Sequence, residues 1–346
     1  MSAHQAQWIV ILERKPTAYR VTTRKRILQI VASAAVLCWW SAGWSAEFEF
    51  RVGHNAEIDH PYQKGFETFK EILEKRSGGR IAVTIYPSGA LGAEDKVNMM
   101  VREGLIAAQA TSVAGGMAPF VPDVDALDYP FLFRDLDHYY RVIDGAVGKQ
   151  LAKEVEDRLN VVFLGWGFSG VRNVWNRKRP VTEPENLSGL KIRVISSKAV
   201  MGAFSSLGAE VTPMSFGELY NALEQGVIDG AETDDIDLMV EDFYDVTRYV
   251  SKTEHLYLGA GYIFSRKIFD KLPIDLQRLV VEAGRAAVAD ERLAMAAKAI
   301  EARAFLRSHG IQYNDVDRAR FEAGVAGLYS ATAPSVAALI QQIRAQ

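Results

Sequence analysis

Two hydrophobic periods alternate along most of this chain. From residue 48 onward, short segments with a repeat of two are followed by longer ones with a repeat of three to four. The first period sends successive side chains to opposite faces of a strand, and the second gathers them on one stripe of a helix. Residues 48–52 read as a strand. Pro61 then suits the first turn of a helix to about residue 76, whose Tyr62, Phe66, Phe69 and Leu73 follow steps of four, three and four before Gly78-Gly79 stop it. Residues 80–86 read as the next strand, 94–102 as a helix closed by Gly104, and 106–112 as a strand. Two helical patterns between 135 and 159 lead into a strand over 161–166. Residues 274–308 form a long alanine-rich helical stretch that Gly310 ends. Strands alternating with helices restrict the chain to the α/β class. At 346 residues and 49% hydrophobic content it is large enough for two lobes. No internal repeat or Pro/Gly/Ser linker is visible, so ordinary strands must join them.

The first 46 residues break the pattern. Arg24-Lys25-Arg26 precede an apolar run over 27–40, and small residues follow at 41–46. A basic region, an apolar region and a cleavage zone make residues 1–46 a signal segment and predict export. The run is too short for an ordinary spanning helix, although an uncleaved anchor stays open. The sole cysteine, Cys38, lies in it, so the exported part can form no disulfide and do no thiol chemistry. Residues 1–46 also hold six of the 40 Lys/Arg and one of the 43 Asp/Glu, which leaves the remainder at a net charge of −8. That balance argues against nucleic acid or an anionic membrane surface as partner.

Catalytic and cofactor motifs fail in context. Gly165-Trp166-Gly167-Phe168-Ser169-Gly170 spells G-x-G-x-x-G, but residues 171–176 continue it as an alternating β-like run. A dinucleotide site needs the glycines to open a helix. His54, Glu57 and His60 have H-x-x-E-x-x-H spacing, yet Pro61 starts the helix after them, so no helical face holds all three for zinc. Asp123, Asp125 and Asp128 lack the glycine and terminal glutamate of a calcium loop. No cofactor and no enzymatic activity are expected.

Residues 185–233 are the most informative stretch. Period-two alternation in 190–194 sends Ile192 and Val194 to one face and Lys191 and Arg193 to the other. A guanidinium at a strand end offers a planar fork that matches a carboxylate bidentately. A structural ion pair is the competing reading. Further on, Ser215 and Glu218 form an S-x-x-E capping box for a short helix with Phe216, Leu219, Tyr220 and Leu223 on one face.

Several separate motifs follow one another here: G-L-K-I-R-V at 189–194, L-G-A at 207–209, T-P-M at 212–214, F-G-E-x-Y at 216–220 and A-L-x-x-G-V-x-D-G-x-E at 222–232. Upstream stands GGRIAVTIYPSGALGAE at 78–94, and residues 253–284 continue the series. Their order resembles the solute receptors of tripartite ATP-independent periplasmic (TRAP) transporters, over essentially the whole chain after about residue 47. The resemblance implies a two-lobed periplasmic-binding-protein-like fold that closes on its ligand. Lobe one is expected at 47–169 and 259–298, lobe two at 170–258 and 299–335, with a tail at 336–346. The long helix would span both lobes, or else pack on one.

The resemblance also implies a site. Arg193 matches the arginine that pairs with the ligand carboxylate, Arg172 a second cation, and Phe216 an aromatic that packs on the ligand. Asn55 and Glu94 match polar contacts from lobe one, Ser196 lies just beyond the anchoring strand, and His54 is adjacent. For each of these except Arg193, a structural polar role or core packing competes. The family usually reads D-G-x-E-N-P, whereas this chain reads Asp229-Gly230-Ala231-Glu232-Thr233-Asp234, so Thr233 replaces an asparagine that typically touches ligand. If Asp234 or Glu94 faces the cleft, ligand hydroxyls would find acceptors and a second carboxylate would meet repulsion. A hexuronate such as galacturonate or glucuronate, or another sugar acid, is therefore expected over a C4-dicarboxylate. The implied role is that of a monomeric periplasmic receptor that passes a small organic acid to TRAP-type permease subunits. An exported organic-acid enzyme on a similar scaffold is the alternative, disfavoured by the lack of a catalytic constellation.

Overall fold

Aromatic and β-branched side chains at every second position commit the first strands to a sheet. β1 (Phe48–Gly53) buries Phe50 and Val52 and pairs in parallel with β2 (Ile81–Tyr86) across the crossover helix α1 (Pro61–Arg76). The computed structural model describes residues 46–346, so the signal segment read over 1–46 lies, but for its last residue, outside the described residues. After α2 (Glu94–Glu103) and β3 (Ala108–Ser112), α3 (Leu136–Asp144) and α4 (Ala146–Leu159) lead into β4 (Val161–Asn176). Next come β5 (Lys191–Val194), α5 (Lys198–Ser206), β6 (Glu210–Pro213), α6 (Leu219–Glu224), β7 (Gly230–Thr233) and α7 (Asp235–Val240). A second long strand, β8 (Tyr249–Ser265), precedes α8 (Arg266–Phe269), α9 (Ile274–Ser308), β9 (Gln312–Asn314), α10 (Arg318–Ser330) and α11 (Pro334–Arg344).

The strand order is β2-β1-β3-β8-β4-β7-β5-β6, with β9 on β8. This is the two-domain α/β arrangement, a mixed sheet in two halves. β4 and β8 run antiparallel through both. Their 161–168 and 259–265 ends continue the sheet of β1–β3, and their 171–176 and 249–257 ends continue into β7 and β9.

The strand expected over 161–166 therefore extends for 16 residues, straight through the glycine run. The pairing of β4 with β8 slips between Phe168 and Val171, which is where the sheet changes neighbours. Gly170 sits there with φ +98, and a Cβ on it would overlap the buried Asp234 side chain. Gly170→Ala combines backbone strain with that overlap. We expect it to cost about 1–3 kcal/mol, seen as a lower urea midpoint; an unchanged midpoint would refute this.

The long helix α9 serves both halves. Its 35 residues begin in the core of β1, α1 and β8, where Val280, Ala283 and Ala287 meet Phe66, Tyr262 and Phe264. They end in the core that holds Trp175 and Phe243, through Met295, Ala302 and Leu306. Alanine lets α1 approach so closely that a Cβ on Gly65 would lie 3.1 Å from the Ala287 carbonyl oxygen. At mid-helix, Glu291 accepts the Phe168 N–H at 3.3 Å and Arg292 Nε donates to the Trp166 carbonyl at 2.9 Å. The helix is thus fastened to β4 beside the glycine run. Residues 336–346, expected as a tail, instead lie mostly in α11, whose Val336, Leu339, Ile340 and Ile343 are buried. Their spacing is helical, and the stripe buries itself against the body of the protein.

Candidate functional site

A cavity of about 540 Å³ opens between the two halves of the sheet, and Arg193, Arg172, Glu94, Asn55, Ser196 and Phe216 all line it. Its volume suits a small polar ligand.

Arg193 owes its position to the alternation in β5. Ile192 and Val194 enter the core beside Phe204 and Leu256, and Arg193 takes the opposite face. There its side chain is buried at 2% exposure. Nε and Nη2 both donate to the Met214 carbonyl, at 3.2 and 2.9 Å. Nη1 is buried and has no hydrogen-bond partner among the described residues. Burial lowers the guanidinium pKa to about 10, so it stays charged at neutral pH. A buried donor left unpaired is unfavourable by about 1–3 kcal/mol, and the residue that carries this one lines the cavity.

Arg172, on β4, is differently placed. Its Nε bonds the Glu232 carboxylate and its Nη2 the Glu232 main-chain carbonyl, across the β4–β7 pairing. The other Glu232 carboxylate oxygen accepts the Ile195 N–H at 2.9 Å, and His255 Nε2 stands 3.6 Å from the Arg172-bound oxygen. Burial alone would raise the Glu232 carboxyl, but the Arg172 charge and hydrogen bond, with the His255 ring close by, overcome it and hold it down at about 2. The charge of Arg172 is balanced by Glu232, whereas among the described residues Arg193 is bonded only to a neutral carbonyl.

Glu94 opens α2, and its two oxygens accept from the Ser112 N–H at 2.7 Å and the Ser112 hydroxyl at 2.8 Å. Burial raises its pKa against those bonds. Phe216, set by the Ser215–Glu218 capping box, packs edge-on to Phe243 with ring centroids 5.8 Å apart.

Three residues named from the sequence do not line the cavity. His54 turns into the core, where Nε2 pairs with Gln63 Oε1 at 3.1 Å and the ring stacks on Phe66. Thr233 is fully buried in β7, and its hydroxyl donates to the Asp234 carbonyl at 3.1 Å. Asp234 caps α7, accepting the Ile236 and Asp237 N–H groups at 2.7 and 3.1 Å. Burial and the neighbouring Asp237 charge push its carboxyl well above the usual carboxylate range. Asp234 thus shapes the first turn of α7 and is not among the residues that line the cavity. The residue one turn on, Asp237, lines the cavity instead, and His60 does so in place of His54. Both were legible as helix-start residues, His60 immediately before Pro61 and Asp237 at the third position after the Asp234 cap.

Two lobes that share long crossing strands and enclose a polar cavity around a buried arginine define a ligand-capturing receptor of the periplasmic-binding-protein type. The chain belongs to the bacterial extracellular solute-binding proteins, family 7, whose model matches residues 52–334. These are TRAP transporter receptors, not enzymes; they bind small solutes and function with membrane permease subunits, and periplasmic localisation is consistent with membership. A TRAP periplasmic solute binding protein from Polaromonas sp. JS666, bound to D-erythronate, is 32% identical with a TM-score of 0.82, over 86% of this chain and 98% of that one. One from Sulfitobacter sp. NAS-14.1, with β-D-galacturonate, is 28% identical with a TM-score of 0.83, over 86% and 100%. One from Sulfurospirillum deleyianum, with succinate, is 27% identical with a TM-score of 0.83, over 87% and 99%.

Proposed function

We propose that this receptor captures a polyhydroxylated monocarboxylate, a hexuronate or other sugar acid, and presents it to its permease. The observation that carries the reading is the charge pattern of the cavity. Among the described residues, Arg193 offers a guanidinium with no bonded counter-charge, while Arg172 is already matched by Glu232. One acid group thus finds a cation that no described residue neutralises by a bond. Around it, Asp237, Glu94, Asn55 and Ser196 offer acceptors and small polar groups for hydroxyls, and Phe216 offers a flat face for a sugar ring. Structural relatives with D-erythronate and β-D-galacturonate support this class. The second reading, a C4-dicarboxylate, draws on the presence of Arg172 in the cavity and on the succinate-bound relative. A second carboxylate would, however, approach Glu94 and Asp237.

In this reading the lobes meet near 169/170 and 258/259 and close about the slip in β4 and β8. Ligand bonds made from both lobes stabilise the closed form, since only contacts stronger in that form can shift the equilibrium. The receptor acts as a periplasmic monomer, exported by the segment over 1–46. Calorimetry with D-galacturonate, D-glucuronate, D-erythronate and succinate at one pH tests the ligand class. At least one sugar acid is expected to bind tenfold or more tighter than succinate, and a preference for succinate would install the dicarboxylate reading.

A further inference from the structure

The β1–α1 connection and α7 bring one histidine and one aspartate to the same end of the cavity from opposite halves of the fold. His60 is the N-cap of α1, and its Nδ1 accepts the Tyr62 N–H at 3.2 Å. Nδ1 must therefore carry the lone pair. Burial keeps the ring neutral at ordinary pH, so its single proton sits on Nε2, which is a donor. His60 Nε2 lies 3.9 Å from Asp237 Oδ1. That is beyond direct hydrogen-bond distance and within what an intervening hydroxyl or water spans. Both residues line the cavity and both are nearly buried, at 2% and 6% exposure.

Each group is also held in place. The His60 ring packs edge-on to Tyr62 with centroids 4.4 Å apart. The Asp237 N–H is bonded by the Asp234 cap, and Thr233 and Asp234 are side-chain neighbours of its carboxylate. Thr233 and Asp234, which miss the cavity, thus act behind a residue that reaches it.

We propose that His60 and Asp237 form a subsite that reads one hydroxyl of the bound acid, His60 donating to the hydroxyl oxygen and Asp237 accepting its proton. The proposal rests on the sugar-acid reading above and adds the residues that select for hydroxylation. A hydroxyl satisfies a donor and an acceptor together, whereas a carboxylate in that position accepts from His60 but meets Asp237 with like charge, and a methylene leaves both unpaired. Because the two groups belong to different halves, the same hydroxyl would also tie the lobes together.

The test compares D-galacturonate with cyclohexanecarboxylate, a six-membered ring acid that bears no hydroxyl, by calorimetry on wild type, His60→Asn and Asp237→Asn. Asparagine at 60 retains a side-chain cap for α1, and its shorter side chain holds the amide N–H back from the place that His60 Nε2 reaches. Each variant is expected to bind galacturonate ten- to hundredfold more weakly and cyclohexanecarboxylate as well as wild type or better. The double variant should be no worse than the poorer single one, the mark of a shared hydroxyl. Equal losses for both acids, or unchanged galacturonate affinity in either folded variant, overturn the subsite and leave the sugar-acid reading standing. A wild type that binds succinate but neither galacturonate, glucuronate nor erythronate overturns both.

Discussion

Arg193→Lys is expected to weaken binding of the acid about a hundredfold or more while circular dichroism shows an unchanged fold. In the proposed site the guanidinium does two things at once: Nε and Nη2 hold the Met214 carbonyl, and Nη1 remains for the ligand. An ammonium on a flexible stem has no planar fork with which to do both. Removing one partner of a desolvated charge pair altogether costs about 2–5 kcal/mol, and a lysine that keeps the charge but not the fork is expected to forfeit roughly 3 kcal/mol of that, about a hundredfold in affinity. Near-native affinity by calorimetry would take Arg193 out of the site.

Glu232→Gln should have the largest effect on stability. It leaves the Arg172 charge buried without its counter-ion, a loss of about 3–5 kcal/mol, and is expected to lower Tm by roughly 5–10 °C at neutral pH. The pH dependence has a definite sign. The native Glu232 carboxyl is held at about 2, below its ordinary value of 4.5, so its stabilisation is fully present above about pH 4.5 and disappears as pH falls through 2. The gap in Tm between wild type and variant should therefore narrow across that acid window. A gap that is small at pH 7, or constant down to pH 2.5, would show that the Arg172–Glu232 pair is not a source of stability.

The two predictions distinguish arginines that look alike in the sequence. Both lie in strands and both were read as ligand cations. Among the described residues, the fold gives Arg172 an adjacent strand that carries Glu232 and gives Arg193 only a carbonyl. That pairing depends on β4 and β7 meeting in register, Val174 opposite Glu232, although some sixty residues separate them in the chain.

Local pattern was enough to specify the alanine-rich helix over 274–308, which has the bounds expected of it, and the direction of Arg193 out of β5. It also specified the Ser215–Glu218 capping box and the α/β class. These follow from interactions within a few residues, namely which face is apolar, which side chain caps and where glycine stops a turn. The long strand through Gly165–Gly170 escaped that logic, because continuity of β4 is supplied by β8 on one side and by Glu291 and Arg292 of α9 on the other. The same holds within the site. Neighbours such as His54 and His60, or Asp234 and Asp237, offer equivalent chemistry in sequence. Which member of each pair lines the cavity is set by how α1 and α7 pack against the rest of the fold. A cavity is a surface shared by distant segments, so the chain by itself determined the residue types available to it, and only packing in three dimensions decided which of them line it.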